Sequence, residues 1–582
     1  MTRLPLYLAA GTLLAGCATS PPPITDFTGN SGSPRAPEQL AVTFEQVDLA
    51  LRVDPATKSI SGDAALTFLL KEPLTRIAVE LDRNLPVDSA SVDGVALAPS
   101  AISNPDGRLY LTLPAPLPAG ARTTVRIKYH GVPHTAKKAP WDGGFTWSQT
   151  KDGQPWIATT VEGEGCDLFW PCIDHPTGKP QLIDLHITVP APLVVAGNGV
   201  ATGMEEKDGW RTYHWRAKNP STYGVALNIG PYETLTGSYA SRYGNSVPLQ
   251  MWYLKGHEQQ ARGLFKEFAP MLDFFEYRVG PYPFGDEKMG VVETPHLGME
   301  HQTVNAYGNN YVKSPYGYDW LLHHELSHEW FGNQMTNADW DDMWLHEGFG
   351  SYMQPLYLEW LRGEREFQTE LFTFRKRLAN KAPVVSGKSQ RIEDIYQDER
   401  GGPGNDIYSK GALILHTLRN LIGDEAFFTA TRRMVYGTAT PAPGNFQPRW
   451  SSTKEFIRFA NEASGSDLNW FFDAYLYHAA LPELVEERSE RQLKLHWKLK
   501  DGGVFPLPVE VRINDRIEKL PMTNGVGEVA LPPRAMVTID PMSRVLRQQD
   551  HIDQWQADEK KKPNDDAPPA AGATTGGAAV RL

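Results

Sequence analysis

The change of hydrophobic period near residue 256 is the feature that most limits how this chain of 582 residues can fold. Before it, short segments such as 109–113 and 125–129 alternate apolar and polar residues between turn residues, which indicates strands with one buried face. After it, residues 257–279 place apolar side chains on one helical stripe. Helical patterns continue to about residue 479, and alternation returns after Pro482. The chain therefore combines separate β and α regions.

This order of patterns predicts a multidomain α+β fold, in keeping with the length of the chain. We predict an N-terminal β-sheet domain, a mostly helical domain and a short C-terminal β-sandwich at residues 39–240, 241–482 and 483–547. Residues 18–38 are rich in Pro, Ser, Thr and Gly, which predicts a flexible tether. Residues 552–582 are polar and then rich in Ala, Gly and Pro, which predicts a disordered tail.

The first 17 residues have the pattern of a targeting segment. One basic residue precedes an apolar run at residues 4–15, which is too short for a permanent membrane span but suits a signal peptide. The run ends in LAGC at residues 14–17 and resembles the bacterial lipobox, whose cysteine is lipidated. The alternative is an ordinary secretory signal that ends in cysteine.

The lipobox resemblance implies a mature protein that is anchored to a membrane through a lipid on Cys17. Ala18 at the next position favours sorting to the outer membrane of a bacterial cell envelope, facing the periplasm, by resemblance to Gram-negative lipoproteins. The sequence does not indicate an oligomeric state.

The charge balance argues against one broad class of function. The chain carries 57 Lys+Arg against 69 Asp+Glu, for a formal net charge of -12, whereas binding of nucleic acid phosphates requires a basic face. We therefore expect no nucleic-acid partner. The 3 cysteines are too few for a disulfide framework. Cys166 and Cys172 can be either a disulfide or two buried thiols.

Residues 321–333, LLHHELSHEWFGN, contain a pattern that is typical of a zinc site. His324 and His328 are one helical turn apart, so both imidazoles can reach one ion. Glu325 lies between them and can contact a water at that ion as a general base. The structural alternative is an amphipathic helix that exposes its His and Glu side chains to solvent.

A catalytic zinc site needs a third protein ligand and an open fourth position. Eighteen residues separate His328 from Glu347, enough for a second helix that returns the carboxylate to the histidine pair. Two His and one Glu leave one position for water. The other residues of this segment that could act as ligands are Asp339, Asp341, Asp342 and His346.

The zinc motif, with WFGN at 330–333 and WLHEGF at 344–349, resembles the gluzincin zinc aminopeptidases, the family of aminopeptidase N and leukotriene hydrolase. That family carries His-Glu-x-x-His, eighteen residues and then Glu. The resemblance implies a thermolysin-like catalytic domain with one zinc ion per chain. His324, His328 and Glu347 would then be the ligands, and Glu325 the catalytic base.

Two further segments resemble motifs of the same family. Residues 298–301, Gly298-Met299-Glu300-His301, are similar to its exopeptidase motif Gly-x-Met-Glu-Asn. The match departs from the motif twice, since Leu297 stands where the first Gly is expected and His301 replaces Asn. Residues 408–412, YSKGA, match the segment that carries the family's catalytic tyrosine, which would be Tyr408.

A third segment, FWPCIDHP at residues 169–176, resembles the family's Phe-Pro-Cys-Phe-Asp-Glu-Pro signature. Glu162 lies ten residues before Cys172, where the family carries a Gln or Glu that helps to bind the substrate amine. Glu164 is the alternative for that role.

The resemblance implies a hydrolase that removes N-terminal residues from peptides with a free N-terminus. Glu162 and Glu300 would bind the α-ammonium, so that only the first peptide bond reaches the metal. Tyr408 would donate a hydrogen bond to the developing oxyanion. The alternatives are a related zinc hydrolase, such as an epoxide hydrolase or an endopeptidase, and a non-catalytic lipoprotein that binds peptides.

Overall fold

The computed structural model describes residues 27–444 and 446–559. The predicted signal segment, Cys17 and residues 18–26 of the predicted tether lie outside the described residues. A β-rich N-terminal part, a helical middle part and further C-terminal strands follow one another, which confirms the predicted fold class. None of the described helices combines the length and the apolar character that crossing a membrane requires.

The N-terminal domain begins with the short helix α1 (Pro37–Leu40) and continues in strands. The strands are β1 (Val42–Asp54), β2 (Ser59–Leu70), β3 (Leu74–Glu80), β4 (Val87–Val92), β5 (Val95–Ala96), β6 (Ile102–Ser103), β7 (Arg108–Leu117), β8 (Arg122–Gly131), β9 (Gly144–Gln149), β10 (Pro155–Thr160), β11 (Leu182–Pro190), β12 (Val194–Ala196), β13 (Val200–Lys207), β14 (Trp210–Lys218) and β15 (Asn228–Gly230). Eight of them form a sheet in the order β13-β14-β11-β1-β2-β8-β4-β5. Alternate residues of β1, including Val47, Leu49 and Leu51, are buried, as the sequence pattern predicts.

The sheet of the middle domain has the order β16-β17-β18-β20-β19. Its strands are β16 (Tyr232–Ala240), β17 (Ser246–Leu254), β18 (Met289–Glu293), β19 (Gly298–Met299) and β20 (Asn305–Tyr307). β16 pairs with β17 along its whole length, so the predicted boundary at residue 240 is too late and the domain begins near residue 232. The error arises because β16 continues the alternating pattern of the preceding strands.

Helices form most of the rest of the middle domain. They are α2 (Glu258–Phe265), α3 (Phe268–Arg278), α4 (Trp320–Ser327), α5 (Trp344–Arg362), α6 (Glu364–Arg377), α7 (Ile392–Tyr396), α8 (Asp406–Ile422), α9 (Asp424–Tyr436), α10 (Thr453–Ser464) and α11 (Asn469–Leu476), and the parallel strands β21 (Met335–Asn337) and β22 (Arg449–Ser451) pair among them. The apolar stripe at residues 257–279 corresponds to two helices, α2 and α3. Pro270 lies in the first turn of α3, where a missing N–H is tolerated.

The C-terminal strands form two sheets, β23-β24-β27 and β26-β25-β28. Their bounds are β23 (Glu483–Arg488), β24 (Gln492–Lys498), β25 (Val509–Ile513), β26 (Arg516–Leu520), β27 (Val526–Ala530) and β28 (Val537–Ile539). A helix, α12 (Asp550–Glu559), follows. The predicted disorder is therefore wrong for residues 552–559, because Ile552 is buried and Gln556 Nε2 donates to the carbonyls of Lys376 and Leu378. Residues 560–582 lie outside the described residues.

The predicted flexible tether is also wrong for residues 27–38. The Arg108 guanidinium lies 3.8 Å from the centre of the Phe27 ring, and Arg108 Nη2 donates to the Pro34 carbonyl at 3.0 Å. Composition does not indicate this order because the segment has few apolar side chains, and contacts made by its backbone and by Arg108 hold it on the β domain.

The structure joins Cys166 and Cys172 in a disulfide, and both residues are fully buried.

Replacing both cysteines with alanine is expected to lower the free energy of unfolding by about 2 kcal/mol, the chain-entropy value for so short a loop. Urea unfolding of the wild type and the double variant, compared at equal m-values, measures this difference. Equal midpoints would show that the bond adds no stability.

Candidate active site

Three side chains from α4 and α5 converge on one point. His324 Nε2 and His328 Nε2 are 3.3 Å apart, and Glu347 Oε2 lies 3.4 Å and 3.5 Å from them. Tetrahedral zinc with bonds of about 2.0–2.2 Å holds its ligand atoms roughly 3.3–3.5 Å apart. Glu347 Oε2 is buried and has no hydrogen-bond partner among the described residues. The three residues therefore fit a zinc ion.

Local structure explains how the two histidines are presented. The Asp319 side chain accepts a hydrogen bond from Leu322 N at 3.0 Å and begins α4. His328 follows the last residue of α4 and keeps helical dihedral angles, so both imidazoles stay on one face. His328 Nδ1 lies 3.0 Å from the Phe331 carbonyl, which orients the ring and leaves Nε2 for the metal.

Glu347 is held on its other side by Tyr396, whose Oη donates to Glu347 Oε1 at 3.4 Å. Burial alone would raise the pKa of Glu347, but the charge of His328 and the interactions with His324 lower its pKa to about 2. Glu347 is therefore an anion at neutral pH, as a metal ligand must be.

The other candidate ligands have different partners. Asp339 accepts from Asp341 N, Asp341 from Ser386 N, Asp342 from Thr453 N, and His346 Nε2 from Asn337 N at 2.9 Å. These bonds hold the connection between β21 and α5, so the spacing-based alternatives do not join the histidine pair.

Glu325 lies next to the metal-binding residues. A ligand atom of Glu325 is within 4.8 Å of one on His328 and of one on Glu300. A Cβ on Gly298 would lie 2.3 Å from Glu325 Oε1, so a glycine in β19 makes room for this carboxylate. Burial, followed by the charge of Glu300, raises the pKa of Glu325 well above its usual range. A carboxylate with a raised pKa accepts a proton more readily near neutral pH.

Glu162 and Glu300 form an acidic wall near the metal-binding residues. Both are buried, and Glu162 Oε1 has no hydrogen-bond partner among the described residues. Burial, and then the charges of Glu300 and Glu347, raise the pKa of Glu162, which places its carboxyl in their field. Glu164, the alternative, accepts a hydrogen bond from Gly143 N at 2.5 Å.

The side chain of Tyr408 keeps its proton. Burial, together with the charge of Glu347, raises the pKa of Tyr408 well above its usual range. Its hydroxyl is therefore available as a hydrogen-bond donor beside His324, whose ring centre is 6.2 Å from that of Tyr408.

The remaining residues of the exopeptidase segment are buried. Gly298 and Met299 form β19, the edge of the sheet of the middle domain. His301 is fully buried, and neither ring nitrogen has a hydrogen-bond partner within residues 27–444 and 446–559. Burial lowers the pKa of His301 to about 3, so the imidazole is neutral.

The sequence patterns did not identify two tyrosines of this site. Tyr223 Oη donates to Glu300 Oε1 at 2.9 Å, and Tyr396 donates to Glu347 as described above. Neither lies in a recognisable motif, and each contacts a residue that is distant in the chain. No sequence pattern could have separated them from the other tyrosines.

Two protein-family models match this chain, in the same order as its N-terminal and middle domains. The model for the Peptidase M1 N-terminal domain matches residues 44–223, and the model for the Peptidase family M1 domain matches residues 276–475. Aminopeptidase M1-B of Oryza sativa subsp. japonica is 25% identical over 505 residues, which are 82% of this chain and 54% of the relative. Aminopeptidase 2 of Candida albicans is 23% identical, over 79% of this chain and 50% of the relative. The chain thus spans about half the length of these aminopeptidases.

Two solved structures match this protein over almost the full length of their own chains. A variant of the M1 zinc metallopeptidase of Deinococcus radiodurans, bound to a Tyr-Ser-Ala substrate, has a TM-score of 0.66 and 27% identity, covering 79% of this chain and 99% of that chain. A two-domain M1 zinc metallopeptidase variant bound to L-arginine has a TM-score of 0.63 and 26% identity, covering 78% and 98%. Because models for two successive domains of one family match in order along the chain, this protein belongs to peptidase family M1.

Proposed function

We propose that the protein is a zinc aminopeptidase that removes the N-terminal residue of peptides with a free α-amine. The observation that carries this proposal is the pair of buried carboxylates, Glu162 and Glu300, beside a side-chain set that fits zinc. The aminopeptidases to which the chain is similar and the Tyr-Ser-Ala complex of a structural neighbour support it.

The acidic wall accounts for exopeptidase action. A buried carboxylate without a neutralising partner, such as Glu162, favours a cationic ligand. The α-ammonium of a peptide would pair with Glu162 and Glu300 through charge-assisted hydrogen bonds. That pairing fixes how deeply the peptide enters, so the first peptide bond is the one that meets the metal.

Each residue of the site has a separate role in the chemical step. His324, His328 and Glu347 would hold the zinc ion, which when bound polarises the scissile carbonyl and lowers the pKa of water. Glu325 accepts the proton of the attacking water on its carboxylate and passes it to the leaving amine. Tyr408 donates its hydroxyl proton in a hydrogen bond to the developing oxyanion, which stabilises the transition state selectively.

The direct test measures zinc content and hydrolysis of a panel of aminoacyl-anilides by the purified protein. We expect about one zinc per chain, activity that is lost on chelation and restored by zinc, and little hydrolysis of N-acetylated analogues. Cleavage of internal peptide bonds or of epoxides in place of aminoacyl-anilides would favour a related zinc hydrolase. Peptide binding without turnover at full zinc occupancy would favour the non-catalytic alternative.

We also propose that a lipid on Cys17 anchors the protein to the outer membrane, facing the periplasm. The lipobox-like end of the apolar run at residues 4–15 motivates this proposal. The disulfide between Cys166 and Cys172 supports it, because such bonds persist in oxidising compartments such as the periplasm.

Replacing Cys17 with alanine is expected to give a protein that is not lipidated and no longer partitions into detergent, since the thiol is the acylation site. Detergent phase partitioning and mass spectrometry of the mature N-terminus measure this. Aminopeptidase activity of the soluble variant serves as the control for folding. An unmodified mature N-terminus downstream of Cys17 in the wild type would contradict the anchor.

A further inference from the structure

Residues 27–36, here called the N-terminal strap, reach the segments behind the acidic wall. The strap precedes the β domain in the chain, yet Ser31 and Gly32 are buried. These two adjacent residues contact the loop that carries Glu162, the helix that carries Tyr396 and the side chain of Trp340.

The first contact is with the loop that carries Glu162. Ser31 N donates to the Gly163 carbonyl at 2.9 Å, and Gly163 directly follows Glu162. Ser31 Oγ donates to Asp174 Oδ1 at 3.0 Å, so the strap is fixed to the β domain at the same residue. A shift of Ser31 would therefore move the backbone beside Glu162.

The second contact is with α7, the helix that carries Tyr396. Ile392 N, at the start of α7, donates to the Ser31 carbonyl at 3.2 Å. Asn30 Nδ2 donates to Glu393 Oε2 at 3.1 Å. The peptide units of Ser31 thus connect the Glu162 loop to the helix whose tyrosine hydrogen-bonds with Glu347.

The third contact reaches Glu300 through two aromatic rings. Gly32 packs against Trp340, and a Cβ added to Gly32 would lie 2.0 Å from Trp340 Cδ1. The Trp340 ring lies 5.9 Å from the Tyr223 ring, and Tyr223 Oη donates to Glu300 Oε1. Gly32 therefore sets the position of the indole that supports the Tyr223–Glu300 pair.

We propose that Ser31 and Gly32 are positioning residues, which hold Glu162 and Glu300 at the separation that the substrate ammonium requires. This inference rests on the proposed aminopeptidase function. Glu162 and Glu300 lie in separate segments of the chain, so the distance between their carboxyl groups depends on contacts that join those segments. The strap provides such contacts through backbone hydrogen bonds and close packing.

The chain offers a matched pair of variants to test this role. Gly32 has φ of 89° and Gly29 has φ of 82°, so alanine is strained at both positions. Only at Gly32 does the new Cβ collide with a neighbour, because nothing lies within 4 Å of a Cβ at Gly29. We expect Gly32→Ala to raise KM for aminoacyl-anilides about tenfold with zinc content unchanged, less than the roughly 10²-fold that a 1 Å misplacement can cost. We expect Gly29→Ala to match the wild type.

A second variant keeps the test decisive where the first does not fold. If Gly32→Ala does not fold, Ser31→Ala removes only the bond to Asp174 and is expected to raise KM about threefold.

The outcomes separate this inference from the proposed function. Equal KM for Gly32→Ala and Gly29→Ala, or a loss of zinc and kcat without a change in KM, would overturn the positioning role while leaving an active aminopeptidase. An unchanged KM in Ser31→Ala would do the same where Gly32→Ala is unfolded. A zinc-loaded wild type without aminopeptidase activity would instead overturn the proposed function and, with it, this inference.

Discussion

Glu325→Gln is expected to lose nearly all turnover while it keeps its zinc. The amide cannot accept the proton of the attacking water, whereas His324, His328 and Glu347 are unchanged. General acid–base groups contribute about 10²–10⁴-fold to rate, so we expect kcat to fall by several hundred-fold or more. The raised pKa of Glu325, caused by burial and by Glu300, supports this assignment.

Measurement of kcat on one aminoacyl-anilide, with zinc quantified in the same samples, decides the question. Glu364→Gln provides a matched control, because this exposed carboxylate begins α6 and accepts a hydrogen bond from Gln368, one helical turn further along α6. Turnover near that of the wild type at full zinc occupancy would remove Glu325 from the role of general base.

The residues that fit zinc could be predicted from the sequence because they lie close to one another in the chain. His324, Glu325 and His328 lie within one helical turn, and Glu347 follows on the next long helix. Helical periodicity alone converts those spacings into a shared face. The structure then brings the ligand atoms to within 3.5 Å of one another.

The contacts that support the site could not be predicted from the sequence, because they join segments that are distant in the chain. Tyr223 reaches Glu300 across 77 residues, and Ser31 reaches Asp174 across 143. Such pairs leave no periodicity in the chain. The ordered conformation of the N-terminal strap could not be predicted for the same reason. It depends on backbone hydrogen bonds to Gly163 and Ile392 and not on the composition of the strap.

The boundary error near residue 232 has a related cause. An alternating pattern shows that a strand has one buried face, but it does not show which sheet the strand joins. β16 pairs with β17, and β17 pairs with β18, a parallel strand of the catalytic domain. Pairing between sheets is a tertiary property, so the sequence pattern could not place the domain boundary there.

Glu300→Ala is expected to weaken recognition of the free amine much more than binding of the metal. Glu300 is not one of the three residues His324, His328 and Glu347. Its carboxylate lies near that of Glu325 and accepts a hydrogen bond from Tyr223. A hydrogen bond to a charged group is worth about 1.5–3 kcal/mol, so kcat/KM for free-amine substrates should fall roughly 10–150-fold. N-acetylated substrates lack the ammonium, and their poor cleavage should hardly change.

The informative quantity is therefore the ratio of free-amine to blocked-amine kcat/KM, measured with zinc quantified in each protein. Tyr223→Phe is the matched variant, because it removes the hydrogen bond to Glu300 Oε1 and leaves the negative charge. If charge is what recognises the substrate, Tyr223→Phe should retain most of the ratio that Glu300→Ala loses. An unchanged ratio in Glu300→Ala together with a loss of zinc would instead make Glu300 a structural residue, and amine recognition would then rest on Glu162 alone.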